Sequence, residues 1–79
     1  MNFDNLNEYL VYRNEKPNHN VEYIYKFDNG FGASVLTHNY GYTIEPLNFN
    51  LNDSDFDDSI KSYTAPYVVL EFLETIKDK

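Results

Sequence analysis

The chain has no cysteine and no tryptophan, and only three glycines, three prolines and six basic residues among its 79. Without cysteine there is no disulfide, no thiolate metal site and no thiol nucleophile. A cysteine-free chain is compatible with the cytoplasm, where we expect it. Apolar residues come in short runs, far from the ~20 needed to span a membrane. The N-terminus also lacks the basic-then-apolar order of a secretion signal, so no membrane association is expected. Basic residues are the most telling shortage. Six stand against 13 acids, the net charge is −7, and residues 27–60 contain neither Lys nor Arg. Phosphate contact needs clustered Lys and Arg, so DNA and RNA are poor partners; a basic protein surface suits such a chain better.

Aromatics are what the chain does have, eight Tyr and six Phe. A length of 79 residues allows one small domain, 1–79, whose core nets roughly 3–5 kcal/mol. Residues 21–37, VEYIYKFDNGFGASVLT, organise it. Val21, Tyr23, Tyr25 and Phe27 alternate with Glu22, Ile24 and Lys26, and Phe31, Ala33 and Val35 alternate with Gly32 and Ser34. This period of two marks a hairpin with one buried face. An Asn-Gly loop would set the aromatic face opposite Ser34. An Asp28-Asn29-Gly30 loop with Gly30 left-handed instead pairs Phe27 with Phe31, Tyr25 with Ala33 and Tyr23 with Val35. Only the second keeps the large apolar residues on one side, and a one-residue slip would undo that.

Before the hairpin, residues 3–13 carry helical spacing at Leu6, Tyr9, Leu10 and Arg13 with Asp4 as N-cap, although LVY equally begins an edge strand. After it, residues 42–51 read as a third strand. Its phase flips at Pro46, with Tyr42 and Ile44 on one side and Leu47, Phe49 and Leu51 on the other; Pro46 then marks a bulge or an edge position. The acidic stretch 52–59 follows. Thr64 as N-cap and Pro66 in the first turn open a helix running to about Lys77, with Val69, Phe72, Leu73 and Ile76 as its apolar stripe. The expected architecture is therefore α+β, a small three-stranded antiparallel sheet packed by a C-terminal helix. The core expected from this is Val21, Tyr23, Tyr25, Phe27, Phe31, Ala33, Val35, Val69, Phe72, Leu73 and Ile76.

Together, FDNGFGASV and the T-x-P-x-x-V-x-x-F-L-x-x-I helix resemble a group of small uncharacterised phage and prophage proteins with an F-x-N-G-x-G-A-S-V hairpin and a C-terminal amphipathic helix. The likeness covers residues 23–77. Pro46 and the Asn/Asp-rich segment depart from the longer, more apolar third strand of that group. The resemblance implies origin in a mobile element of an AT-rich bacterium, and no catalytic mechanism.

No constellation of residues states a reaction. Asp53-x-Asp55-x-Asp57 has the spacing of a calcium loop, but the sixth and twelfth positions hold Asp58 and Thr64 where Gly and Glu are needed. His19 and His38 flank the hairpin and fall short of the three or four ligands of a metal site. Ser34 lies mid-strand, away from any nucleophile elbow, and Gly30-Phe31-Gly32 is not a phosphate loop because no helix follows it. We expect no metal, no cofactor and no enzyme activity. The expected activity is binding of a host protein with a basic surface by a carboxylate sector of Asp28, Glu45, Asp53, Asp55, Asp57 and Asp58, which imitates nucleic-acid phosphates. Tyr40, Tyr42, Phe56 and Tyr63 would serve as aromatic anchors. Two alternatives stand beside it: a structural or accessory protein that self-associates, and a nucleotide sponge using Arg13, Lys16, Lys26 or Lys61. A homodimer is compatible with the first two.

Overall fold

In the computed structural model, which describes residues 4–18, 20–49 and 59–79, the hairpin adopts the register that keeps one apolar side. Strands β2 (Val21–Lys26) and β3 (Phe31–His38) pair Tyr23 with Val35 and Tyr25 with Ala33. The Phe27 amide donates to the Phe31 carbonyl at 2.8 Å, and Gly30 takes φ 85°. Tyr25, Phe27, Ala33 and Val35 are all buried. Glycine suits the turn because a side chain at that φ would be strained.

The sheet is larger than the sequence suggested. It is an antiparallel meander of five strands, not three, in the order β1-β2-β3-β4-β5, with β1 at Leu10–Glu15, β4 at Gly41–Asn48 and β5 at Lys61–Tyr63. At the N-terminus a 3-10 helix covers Asp4–Tyr9 and then stops. Leu10-Val11-Tyr12 becomes an edge strand, with Val11 bulged between the pairs Leu10–Tyr25 and Tyr12–Ile24. The helical spacing of Leu6, Tyr9 and Leu10 was thus split between two elements. Leu6 is buried and the Tyr9 ring meets Phe27 edge-on at 5.3 Å. The Asp4 side chain, and so its capping role, lies outside the described residues.

Strand β4 corrects a second expectation. Its phase does not flip at Pro46: Ile44 and Pro46 are both buried on the inner face, and the pairing with β3 is continuous from Phe31–Asn48 to His38–Gly41. The Phe49 amide donates to the Gly30 carbonyl, so by alternation Leu47 and Glu45 also bond towards β3. Pro46 faces the other way. There β5 reaches only to the Ile44–Lys61 pair, so the missing N–H breaks no ladder bond. Leu51 lies outside the described residues.

Helix α1 (Pro66–Lys77) packs on β3, β4 and β5 through buried Val69, Leu73 and Ile76. Phe72 is half-buried, 6.0 Å from the Tyr63 ring. Thr64 is not its cap. Ala65 holds that position and offers no side-chain bond, with Pro66 beginning the helix. The other end is fastened by the hairpin turn, since Asn29 Nδ2 donates to the carbonyls of Ile76 (2.8 Å), Lys77 (3.0 Å) and Lys79 (3.3 Å). Of the expected core, Val21, Tyr23, Phe31 and Phe72 are only half-buried, while Leu6 and Ile44 belong to it and were missed. Among the described residues no helix is long and apolar enough to cross a membrane.

Candidate functional site

The inner face of the sheet has more length than α1 covers. Alternation places Val21, Tyr23, Thr37 and Tyr42 on that face, at the end where β3 turns into β4. There the chain leaves a cleft of about 400 Å3, walled by Tyr23 and Tyr42 and rimmed by Asn39, Tyr40 and Thr64. Its floor is closed by Thr37, whose hydroxyl accepts from the Val21 amide at 3.0 Å and donates to the Val21 carbonyl at 3.3 Å. Gly41 makes the cleft possible. It has φ 133°, and a Cβ there would meet the Tyr63 carbonyl at 2.3 Å, so only glycine lets Thr64 come so close.

His38 also borders the cleft, and no Lys, Arg, Asp or Glu lines it. Beside it Arg13 lies with its guanidinium carbon 5.8 Å from the Tyr23 ring centroid, bonded to Glu15 at 2.8 Å. The hydrogen bond to Glu15, and after it the one to Tyr23, hold the Arg13 pKa above its ordinary value.

Of the expected carboxylate sector, Asp28 and Glu45 fall among the described residues. Asp28 sits exposed in the β2–β3 turn and Tyr40 in the β3–β4 turn, at opposite ends of the eight-residue β3, about 25 Å apart. Glu45 is exposed on the outer face, while Tyr42 and Tyr63 lie on the inner one, Tyr63 against Phe72. Asp53, Asp55, Phe56, Asp57 and Asp58 lie outside the described residues, as does His19. Of the expected anchors, the structure brings Tyr40 and Tyr42 together at the cleft. Val21, Tyr23, Thr37 and Thr64 join them there, and only strand pairing could have revealed that.

The polar pairs that resemble catalytic ones are otherwise engaged. His38 Nδ1 accepts from the Tyr40 amide, so in the neutral ring Nε2 carries the proton. That nitrogen lies 3.0 Å from Thr43 Oγ1. Ser34 Oγ donates to Glu22 Oε2 at 3.1 Å on the outer face, and Lys16 pairs with the other oxygen of Glu22 at 3.6 Å. Among the described residues no group of three or more His, Asp or Glu could hold a metal ion. Comparison with protein-family models, with curated proteins and with solved structures finds no match to this chain.

Proposed function

We propose that this chain is a non-catalytic binding protein whose partner is another protein with a basic surface. The observation that carries this reading is the charge distribution: −7 overall, with no Lys or Arg in residues 27–60. That stretch contains all of β3 and β4, the centre of the sheet. Such a field accelerates encounter with a positive partner and repels nucleic acid. The contact itself needs an anchor, and the tyrosines at the cleft supply large, partly exposed rings with polar tips. The resemblance to phage proteins narrows the partner to a bacterial host protein that handles nucleic acid or defends against it, which this chain would inhibit.

The test is capture from a bacterial host lysate, followed by titration of the captured protein at two salt concentrations. A basic partner whose affinity falls with salt is the expected result. If Asp53, Asp55, Asp57 and Asp58 all become Asn without loss of affinity, carboxylate mimicry of phosphates is refuted. A second reading, self-association, is favoured by one observation. Val11 and Tyr12 are 60 % and 46 % exposed on β1, which among the described residues is an edge strand, and edge strands invite pairing with another strand. Its signature is a concentration-dependent oligomer in sedimentation. The nucleotide sponge is the weakest of the three readings, because Arg13 and Lys16 are engaged with Glu15 and Glu22, and Lys26 lies over the Phe49 ring.

A further inference from the structure

We propose that the cleft between Tyr23 and Tyr42 receives a cationic side chain, arginine or lysine, of a partner polypeptide. The cleft thereby becomes the anchor point of the interaction, an assignment that rests on reading the chain as a binder of basic proteins.

The lining combines three tyrosines, Tyr23, Tyr40 and Tyr42, with polar groups and His38, and holds no Lys, Arg, Asp or Glu. A cation entering it meets the negative faces of tyrosine rings and is repelled by no Lys or Arg of the lining. An anion finds no Lys or Arg in the lining, Arg13 beside it being paired with Glu15, and must enter against the field of a chain carrying −7. The Tyr23 ring already serves as a cation platform, for Arg13 at 5.8 Å, and Glu15 neutralises that guanidinium at 2.8 Å. The Thr37 hydroxyl is committed to Val21 and the Tyr23 hydroxyl to Arg13, so the hydrogen-bonding groups offered to a ligand are the Tyr40 and Tyr42 hydroxyls, the Asn39 amide and the Thr64 hydroxyl. Oxygens of this kind can accept from a guanidinium or an ammonium held over the rings. At about 400 Å3 the space falls within the range of ligand pockets and admits a side chain with its flanking backbone. An apolar side chain would fill the same volume but leave the rim groups facing it unpaired.

The experiment titrates the full chain, followed by NMR, with two peptides. One is Gly-Gly-Arg-Gly-Gly with blocked ends, and the other carries citrulline, the neutral isostere, in place of arginine. The arginine peptide is expected to shift resonances of Tyr23, Thr37, Tyr42 and Thr64 and to bind at least about fivefold more tightly than the citrulline peptide. Tyr42→Leu is expected to weaken the arginine peptide by about fivefold, while Tyr42→Phe, which keeps the ring, retains most of the affinity. Equal binding of the two peptides overturns the proposal, as does an arginine peptide whose shifts map to Glu45 or Asp28. Should Tyr42→Leu fail to fold, the citrulline comparison decides alone, since it needs no variant. A basic partner captured equally by wild type and Tyr42→Leu would remove the cleft and leave the acidic reading standing. An arginine peptide seated in the cleft of a chain that captures no basic protein would do the reverse.

Discussion

Asn29 offers the sharpest test of how this fold is held together. In the sequence it is the middle residue of a tight turn, a place where Asp and Asn are nearly interchangeable because either side chain accepts from the backbone two residues on. Its Oδ1 does accept from the Phe31 amide, at 3.0 Å. Its Nδ2, however, reaches the last turn of α1 and donates to the carbonyls of Ile76 and Lys77 at 2.8 and 3.0 Å, with Lys79 sharing at 3.3 Å. Carbonyls at a helix C-terminus lack the amide four residues on, and of these Ile76 also accepts a backbone bond, from the Lys79 amide at 3.3 Å. An amide nitrogen has two hydrogens, so two full bonds are at stake, each worth about 1 kcal/mol when partly buried. Asn29→Asp keeps the turn bond and removes both donors. It also sets a negative charge against the negative end of the helix dipole, for about 0.3–1 kcal/mol more. The expected loss is about 2–3 kcal/mol, against less than about 0.5 kcal/mol for a residue that only turns the chain. Asn29→Ala should lose about the same amount, giving up the turn bond but escaping the charge. Urea midpoints at constant slope measure both variants. An Asp variant within about 0.5 kcal/mol of wild type would show that the turn does not cap the helix.

Three other outcomes follow from named contacts. Gly41→Ala should cost at least about 1–2 kcal/mol and detach β5, because the new methyl would lie 2.3 Å from the Tyr63 carbonyl at a φ of 133°; loss of the Tyr42–Tyr63 amide protection in hydrogen exchange checks it. The Tyr25 hydroxyl is pushed up to about 12, by burial first and then by Tyr23. Since this folded value exceeds the ordinary one of about 10, the contribution is intact below pH 10 and is lost as pH climbs to 12, by at most about 2 kcal/mol once solvent screening is allowed for. Tyr25→Phe should therefore flatten the alkaline arm of the stability profile, and an unchanged arm would refute that cause. Pro46→Ala should cost about 1–2 kcal/mol, because it removes ring atoms buried on the inner face beside Ala33, while the N–H it restores lies on the side where β5 reaches only to Ile44–Lys61; an unchanged urea midpoint would contradict the packing of that ring.

Elements with a long, clean period were legible in the sequence. The aromatic alternation through Tyr23, Tyr25 and Phe27, joined to Asp-Asn-Gly, specified both the register and the turn; the stripe of Val69, Leu73 and Ile76 specified the helix face. Three features escaped for separate reasons. Leu6, Tyr9 and Leu10 follow helical spacing over too few residues to show that a 3-10 helix hands over to a bulged edge strand after Tyr9. Strand β5 has three residues, Lys-Ser-Tyr, and its place depends on what Tyr42 and Ile44 offer across the gap. Pro46 was read as punctuation, whereas its ring is buried beside Ala33 and continues the inner face. The candidate site was legible only in its parts. Tyr40 and Tyr42 stood out as aromatics, but their company with Tyr23 is a product of β2–β3–β4 pairing. Asp28 and Glu45 were grouped by the absence of Lys and Arg over residues 27–60, and the fold sets the first in the β2–β3 turn and the second on the outer face of β4.

The two ends of α1 are held in different ways, and that difference bears on where binding happens. At the C-terminal end Asn29 caps the carbonyls, Lys77 lies over the Tyr9 ring at 5.7 Å, and Ile76 is buried. At the N-terminal end the cap position holds Ala65 without a side-chain bond, and the connection to the sheet runs through the short β5. Local opening is easiest where few buried contacts and few backbone bonds must break. The weaker end is also the one that borders the cleft, through Thr64. A ligand seated between Tyr23 and Tyr42 would brace that end, so the arginine peptide should slow hydrogen exchange at Lys61, Tyr63 and the first turn of α1. The amides of β3 opposite Tyr25, already deep in the sheet, should change little. Uniform protection across the whole chain would mean that the peptide merely stabilises the fold as a unit, and the two ends of the helix would then not differ in the way their contacts indicate.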